Sequence, residues 1–334
     1  MRLRALAILL SAAACNSSMQ GPPAPDGFAL PDGTDVTPDD LADPGPDLAP
    51  LGPPYPIVLV HGMAGFKNIG PIDYFYGVAD ALRKEGHDVY VSTADPLNTS
   101  EIRGAQVKTF VDGVLASTHK AKVNLIGHSQ GGFDVRYVAS LEGDHIASVT
   151  TIASPMLGDP IADIATGAIS GDTQSVLGAV LNLYGAVMGY TSDVKSQLAE
   201  LTTAGAKDFF TKFPDDPHVI YYSIAGRSSG QMGDVDCASS TPAPFVSRWD
   251  GSIDQLNPAL AIPGAVLDGM KPRPVHDGMV TVGSARHGIF LGCIPADHLG
   301  EVGQPVGQAA GPGNSFDYLQ FYRDLAAYLV AHGH

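Results

Sequence analysis

Hydrophobic positions change period repeatedly along the chain. "PIVLV" (56–60) is a short apolar, β-branched run with the length and composition of a buried strand. "DYFYGVADALRKEGH" (73–87) places Phe75, Val78, Ala79 and Leu82 at helical spacing and meets Gly86 near its end. "DVYVSTA" predicts the next strand, and "SEIRGAQVKTFVDGVLAST" the next helix, with Ser100 as its cap. "KVNLIGHS", "QGGFDVRYVASLE" and "IASVTTIAS" continue as strand, helix and strand; "VIYYSIAG" adds a later strand and "SFDYLQFYRDLAAYLVAHG" a closing amphipathic helix. Such alternation predicts an α/β domain with a largely parallel sheet. Residues 160–210 break the rhythm. "SVLGAVLNLYGAVMGY" inside them is too apolar for a helix on the outside of a sheet, and reads either as a mobile lid with a greasy underside or as a buried core helix.

One polar residue interrupts this pattern at a telling place. Ser129 lies in "GHSQGG", a G-x-S-x-G match, after the strand "KVNLI" and before a helix. Strand, sharp turn and helix are the context of a nucleophile elbow. Gly127, Gly131 and Gly132 have no Cβ, so neighbouring chain can pack closely around the turn. The bland alternative is a helix-capping serine. A nucleophilic serine needs a base, and the base needs an orienting acid. With this elbow they follow in the order Ser, Asp or Glu, His. "VHDGMV" supplies Asp277 and "DHLGEV" supplies His298. Asp277 sits before a glycine in a turn after an expected strand, and His298 in a loop before the last helix. His287 and His276 compete as bases, and Asp268 and Asp297 as acids. The oxyanion hole should take one donor from the Gln130 backbone N–H and one from Met63, in the loop "VLVHGMAGF" after the first strand. His61 reads as a buttress of that loop.

Composition alters the picture at the N-terminus. Residues 1–15, "MRLRALAILLSAAAC", have a basic start, a short apolar middle and a small-residue exit, the layout of a signal peptide. "SAAAC" resembles the lipobox of bacterial lipoproteins, with Ala12 where leucine is usual, and implies lipidation of Cys15; plain secretion is the alternative. Residues 16–54 hold ten prolines, five glycines, seven aspartates and no Lys or Arg, and read as an extended, disordered linker. The remaining residues, 55–334, read as one domain without internal repeats. The formal net charge of −16 argues against nucleic acid as a partner. With Cys15 set aside, Cys237 and Cys293 form a pair, which in an exported protein reads as a disulfide.

These pieces together resemble the pseudomonad-type bacterial triacylglycerol lipases. The likeness lies in "YPIVLVHGMAGF", "TSEIRGAQV", "KVNLIGHSQGG" with "RYVAS", "HDGMV" and "HLGEVGQ". It implies an α/β-hydrolase fold with a helical lid, and carboxylester hydrolysis without a catalytic cofactor. Ser129 would be the nucleophile, His298 the base, Asp277 the acid, and Met63 and Gln130 the oxyanion donors. It also implies an ester substrate at a lipid–water interface and a foldase as partner. The family holds a structural calcium partly through an aspartate two residues after the histidine. Gly300 stands there, while Gln304 matches another ligand and Asp254 a further acid. Losing that carboxylate weakens a hard-cation site, and a Cys237–Cys293 bridge would restrain the same loop. A short-chain esterase or polyester depolymerase fits the same triad; a non-enzymatic lipid-binding lipoprotein does not explain why all three members are present.

Overall fold

A computed structural model describes residues 50–65, 68–69, 72–183, 193–228, 235–307 and 310–334. The leader, Cys15 and the linker up to residue 49 lie outside them, as does the second half of the apolar run, 184–192. The strands are β1 (Ile57–Val60), β2 (Asn68–Ile69), β3 (Ile72–Asp73), β4 (Val89–Val91), β5 (Val123–His128), β6 (Ile146–Ile152), β7 (Ile220–Gly226) and β8 (Ile289–Ile294). The helices are α1 (Val78–Lys84), α2 (Ser100–Thr118), α3 (Gly131–Glu142), α4 (Pro160–Ala165), α5 (Thr173–Leu183), α6 (Val194–Leu201), α7 (Thr203–Lys212), α8 (Pro244–Ser247), α9 (Ala261–Gly269), α10 (Val282–Ala285) and α11 (Tyr318–Ala331).

The central sheet runs β4-β1-β5-β6-β7-β8, every pairing parallel. Strand alternation explains its two covered faces. Ile57 and Leu59 of β1, with Ile126 of β5, pack toward α1 and α11. Val58 and Val60, with Val123 and Leu125, pack toward α2 and α3. A third cluster joins α4, α6 and α7 of the insertion to the loops above the sheet. Among the described residues, four helices, α4 to α7, lie in the segment that the sequence marked as an insertion.

Several boundaries differ from the sequence reading. Ordered packing begins before residue 55: the Leu51 N–H donates to His119 O and its carbonyl accepts from Ala121 N–H. The N-cap of α2 is Thr99, not Ser100, which instead lies buried in the first turn. Strand β8 was not anticipated. Glycines at 288 and 292 and Pro295 hide its periodicity, and Gly292 takes a positive φ of 124° where the register shifts. Among the described residues no strand leads directly into Asp277, which follows α9; His276 forms an isolated bridge to Thr281. Among the described residues no helix is long and apolar enough to cross a membrane.

Candidate active site

The elbow forms because β5 ends against the start of α3. Ser129 sits there at φ 56°, a left-handed conformation rare for a non-glycine residue. Its N–H donates to Ile152 O at 3.0 Å. A Cβ on Gly127 would strike the backbone of Gly131, one on Gly131 the Val60 carbonyl, and one on Gly132 the Ser154 side chain. The serine's strain is thus held in place by close packing on three sides.

Two loops, one between α9 and α10 and one after β8, deliver its partners. His298 Nε2 lies 3.0 Å from Ser129 Oγ, and His298 Nδ1 lies 2.7 Å from Asp277 Oδ2. The other Asp277 oxygen accepts the N–H groups of Met279 (2.8 Å) and Val280 (2.6 Å), which fixes the carboxylate's direction. The His298 N–H also donates to Asp277 O, so the two loops are joined through the backbone. Burial works against the His298 cation, but the Asp277 charge and hydrogen bond outweigh it and raise its pKa above the ordinary histidine value.

The competing residues go elsewhere. His287 pairs with Asp215 at 3.0 Å. His276 pairs with Asp268 and accepts the Gly278 N–H. Asp268 also pairs with Arg273. Asp297 receives the N–H groups of Asn257, Leu299 and Gly300. His61 is a buttress: it is fully buried, its Nε2 accepts the Ala94 N–H, and burial followed by the Arg103 charge pushes its pKa down to about 3.

Neither the Met63 nor the Gln130 backbone N–H donates to another group among the described residues, although the neighbouring Ala64 and Ser129 N–H groups do. Buried N–H groups left open beside a serine are what an oxyanion hole requires. The Gln130 side chain is held by Ser100, by the Asn98 carbonyl and, across to α6, by Gln197 at 2.7 Å. Arg103 of α2 donates to the carbonyls of His61 (2.6 Å), Gly62 (3.3 Å) and Asp95 (2.7 Å) and pairs with Asp134 of α3. It carries the oxyanion loop from beneath.

A second buried set was not foreseen. Glu301 Oε2 meets His128 Nε2 at 2.8 Å, and His128 Nδ1 meets the Tyr74 hydroxyl at 2.8 Å. The His128 ring packs on His298, centroids 4.6 Å apart. Burial, reinforced by Asp277, lifts the Glu301 pKa well above the carboxylate range; burial and His298 push that of His128 well down. Both directions favour a neutral hydrogen bond between Glu301 and His128 over an ion pair. A Cβ on Gly226 would collide with Glu301, so that glycine makes room for it. The available signals were the histidine next to Ser129 and the glutamate three residues after His298.

The calcium ligands suggested by the sequence do not converge. Gln304 donates its amide to the carbonyls of Asp73 and Tyr74. Asp254 accepts from Asn314 Nδ2, which also donates to Pro295 O. The Asn314 orientation is set because its Oδ1 accepts the Phe316 N–H. An N–H donor thus lies between two oxygens that a cation would need to draw together, and Gly300 adds no oxygen ligand. Gln304 and Asp254 thus form no shared ligand set, although Asp254 Oδ2 is buried without a hydrogen-bond partner among the described residues. The disulfide, in contrast, is formed: Cys237 and Cys293 are bridged with Cα atoms 5.4 Å apart, tying the turn at 235–237 to β8.

A pocket opens over Ser129 and His298, walled by Met63, Ile161, Leu198, Leu201 and Met279 among others. Its accessible core is about 20 Å³, room for roughly one water. The insertion lines it through α4 and α6.

A family profile described as the alpha/beta hydrolase fold matches residues 55–183. A triacylglycerol lipase of Vibrio cholerae is 34% identical over 264 residues, covering 76% of this chain and 81% of the relative. One from Pseudomonas fragi is 30% identical, covering 84% and 97%. The chain belongs to the bacterial triacylglycerol lipases of the α/β-hydrolase superfamily. It is a serine carboxylester hydrolase of a family that needs no cofactor for catalysis. Among solved structures, the Staphylococcus hyicus lipase superposes with a TM-score of 0.57 at 16% identity, over 85% of this chain and 98% of that one. A Bacillus licheniformis lipase in mature form gives 0.52 at 21%, over 77% and 90%. These two likenesses concern the fold.

Proposed function

We propose that this lipase is exported, acts on long-chain acylglycerols at a lipid–water interface, and works through an acyl-enzyme on Ser129. The reading rests above all on the hydrogen-bonded chain Ser129–His298–Asp277, set beneath an apolar pocket with two open N–H groups. His298 takes the Ser129 proton as Oγ attacks the ester carbonyl. The Met63 and Gln130 N–H groups receive the oxyanion, each contributing on the order of 3 kcal/mol. Asp277 stabilises the imidazolium, which then protonates the leaving alcohol. His298 next deprotonates water, the water oxygen bonds to the acyl carbon, and Ser129 leaves with its proton restored.

The core of about 20 Å³ is too narrow for an acyl chain, and α4 and α6 line it, so we expect them to move when substrate enters. Their apolar undersides stay covered in water and would lie against lipid when open. That behaviour favours a lipase over an esterase with a standing pocket. A series of p-nitrophenyl esters from acetate to palmitate tests it. We expect kcat/KM to rise toward the long chains and to increase further in emulsion; a maximum at acetate without interfacial gain would support the short-chain esterase reading. Labelling by an alkyl phosphonate should reach one serine per chain and be lost in Ser129→Ala. His298→Ala and Asp277→Asn should each lower turnover by several orders of magnitude. Near-normal activity of His298→Ala alongside an inactive His287→Ala would refute the base assignment.

Lipidation of Cys15 would tether the domain through the linker to the cell envelope, and a membrane-bound foldase is the partner that the family resemblance suggests. Mass spectrometry of the mature N-terminus decides the anchor: a diacylglyceryl group on Cys15 is expected, and a free N-terminus beyond residue 15 would leave plain secretion.

A further inference from the structure

Three polar side chains line the pocket over the nucleophile. Two are Ser129 and His298; the third, Asp159, has no part in the steps above. We propose that Asp159 is a specificity-determining residue: its carboxylate, set in the apolar wall beside Ser129 and His298, admits the neutral ester and drives out the anionic acid product. The inference rests on the assignment of Ser129 as nucleophile.

Asp159 is held from both sides. Its Oδ1 accepts the Ile161 N–H at 2.8 Å as the N-cap of α4, and its own N–H donates to Leu201 O at the end of α6. It is 6% exposed. Capping alone does not require a charge, since serine or asparagine caps about as well. In a wall made of Met63, Ile161, Leu198, Leu201 and Met279, an ionised carboxylate is the costliest of these choices. The charge is therefore the property that calls for a reason.

The titratable groups bearing on Asp159 come from three places. Asp277 and His298 belong to the acid and histidine loops, and Asp163 lies one turn further along α4. Asp163 is itself tied to Thr203, accepting from its N–H at 2.9 Å and its hydroxyl at 2.6 Å. Burial pushes the Asp159 pKa up to about 7; Asp277 and Asp163 add to this, while the Ile161 N–H and His298 oppose it. The group thus gains its charge across the neutral range. Hydrolysis changes the pocket's content in the opposite sense. The ester is uncharged. Once the water oxygen has bonded to the acyl carbon and the carbon–Oγ bond has broken, the released acid passes its proton to the now neutral His298, which hands it on to solvent water, and becomes a carboxylate in the same pocket. Two like charges in a poorly solvated wall repel, while the entering ester feels no net charge. The same wall therefore treats substrate and product differently.

The test compares hexanoate with the uncharged hexanamide as inhibitors of p-nitrophenyl butyrate hydrolysis from pH 6 to 8.5. All three are soluble monomers, so lipid interfaces do not enter. In the wild type the ratio of Ki values, hexanoate over hexanamide, should rise with pH. Deprotonation of His298 also weakens anion binding in every variant, at a lower pH where the Asp159 charge no longer supports the imidazolium, so the total rise between the acid and alkaline plateaus is what is compared. The readout is accordingly the difference between enzymes: the rise should be about tenfold larger in the wild type than in Asp159→Asn, which keeps the cap. Asp159→Ser should match Asp159→Asn, and it decides the matter if the asparagine variant fails to give a cooperative melt. An equal rise in the wild type and both variants would overturn the inference while leaving ester hydrolysis by Ser129 intact. Loss of the Ser129 assignment itself would show as hydrolysis that survives Ser129→Ala, a distinct result that sinks both.

Discussion

Arg103→Met probes how the oxyanion loop is held. Arg103 is fully buried on α2. It donates to Asp134 through Nε (2.9 Å) and Nη2 (2.7 Å), and to the carbonyls of Asp95, His61 and Gly62. Methionine fills much of the volume and supplies no donor. Asp134, also fully buried, then loses its counter-charge, a loss that typically costs about 3–5 kcal/mol. In a domain of this size that corresponds to a fall in Tm of roughly 10 °C. The rate should fall as well, because Gly62 immediately precedes the Met63 donor. A displacement of about 1 Å there can cost roughly 100-fold. Adding Asp134→Asn to Arg103→Met separates the two effects. Removing the stranded charge should recover much of the stability, while the carbonyls of His61 and Gly62 remain unheld and kcat stays low. Melting curves and ester kinetics on the single and double variants measure this. If Arg103→Met keeps a Tm and kcat within error of the wild type, the pair does not support the loop. If the double variant regains rate together with stability, the loop is held by other contacts and the arginine acts only through folding.

Because Asp277 raises the His298 pKa and the base must be neutral to accept a proton, kcat/KM should be low in acid and rise through a value above 6.5. In Asp277→Asn the residual activity should rise at lower pH; an unmoved limb would show that the acid does not set the base's affinity for its proton. The Cys237–Cys293 bridge closes a segment with a sequence separation of 56. Chain entropy puts its contribution at about 4 kcal/mol. Reductant or Cys293→Ser should therefore lower the Tm well beyond any effect of a chelator. Collapse in chelator alone, rescued by calcium, would show that the donor set around Asp254 rearranges to hold a metal. Amide exchange in α6 should accelerate on adding micelles, as the insertion opens; protection that micelles leave unchanged would make these helices part of a fixed core.

The sequence made the elbow legible because the chemistry there is local. A strand, a G-x-S-x-G turn and a helix follow one another within twenty residues, and close packing demands the glycines where they stand. The order of acid and base was legible too, and with it His298 as the base; the fold adds that the competing His287 and His276 have their own aspartates. Strand β8 escaped because Gly288, Gly292 and Pro295 interrupt a run too short to show a period. The doubt over calcium was legible in Gly300, whereas Asn314, sixty residues beyond Asp254 and turning an amide donor toward it, was not.

What stayed hidden follows one rule. Hydrophobic periodicity reports which face of an element is buried, but says nothing about which buried polar groups meet. His128 and Glu301 lie 173 residues apart, Gln130 and Gln197 lie 67, and Arg103 and Asp134 lie 31. The first pair joins the end of β5 to the histidine loop, the second the elbow to α6, and the third α2 to α3, all around the end of the parallel sheet that carries Ser129. There the loops cross, the backbone leaves regular structure, and charged groups are shielded from water. An unpaired polar group is most costly in such a place, so a polar residue found there without a structural task points to function. Asp159 stands out by that logic. The cap it makes could be made without a charge, and the wall it occupies is otherwise apolar apart from the nucleophile and its base.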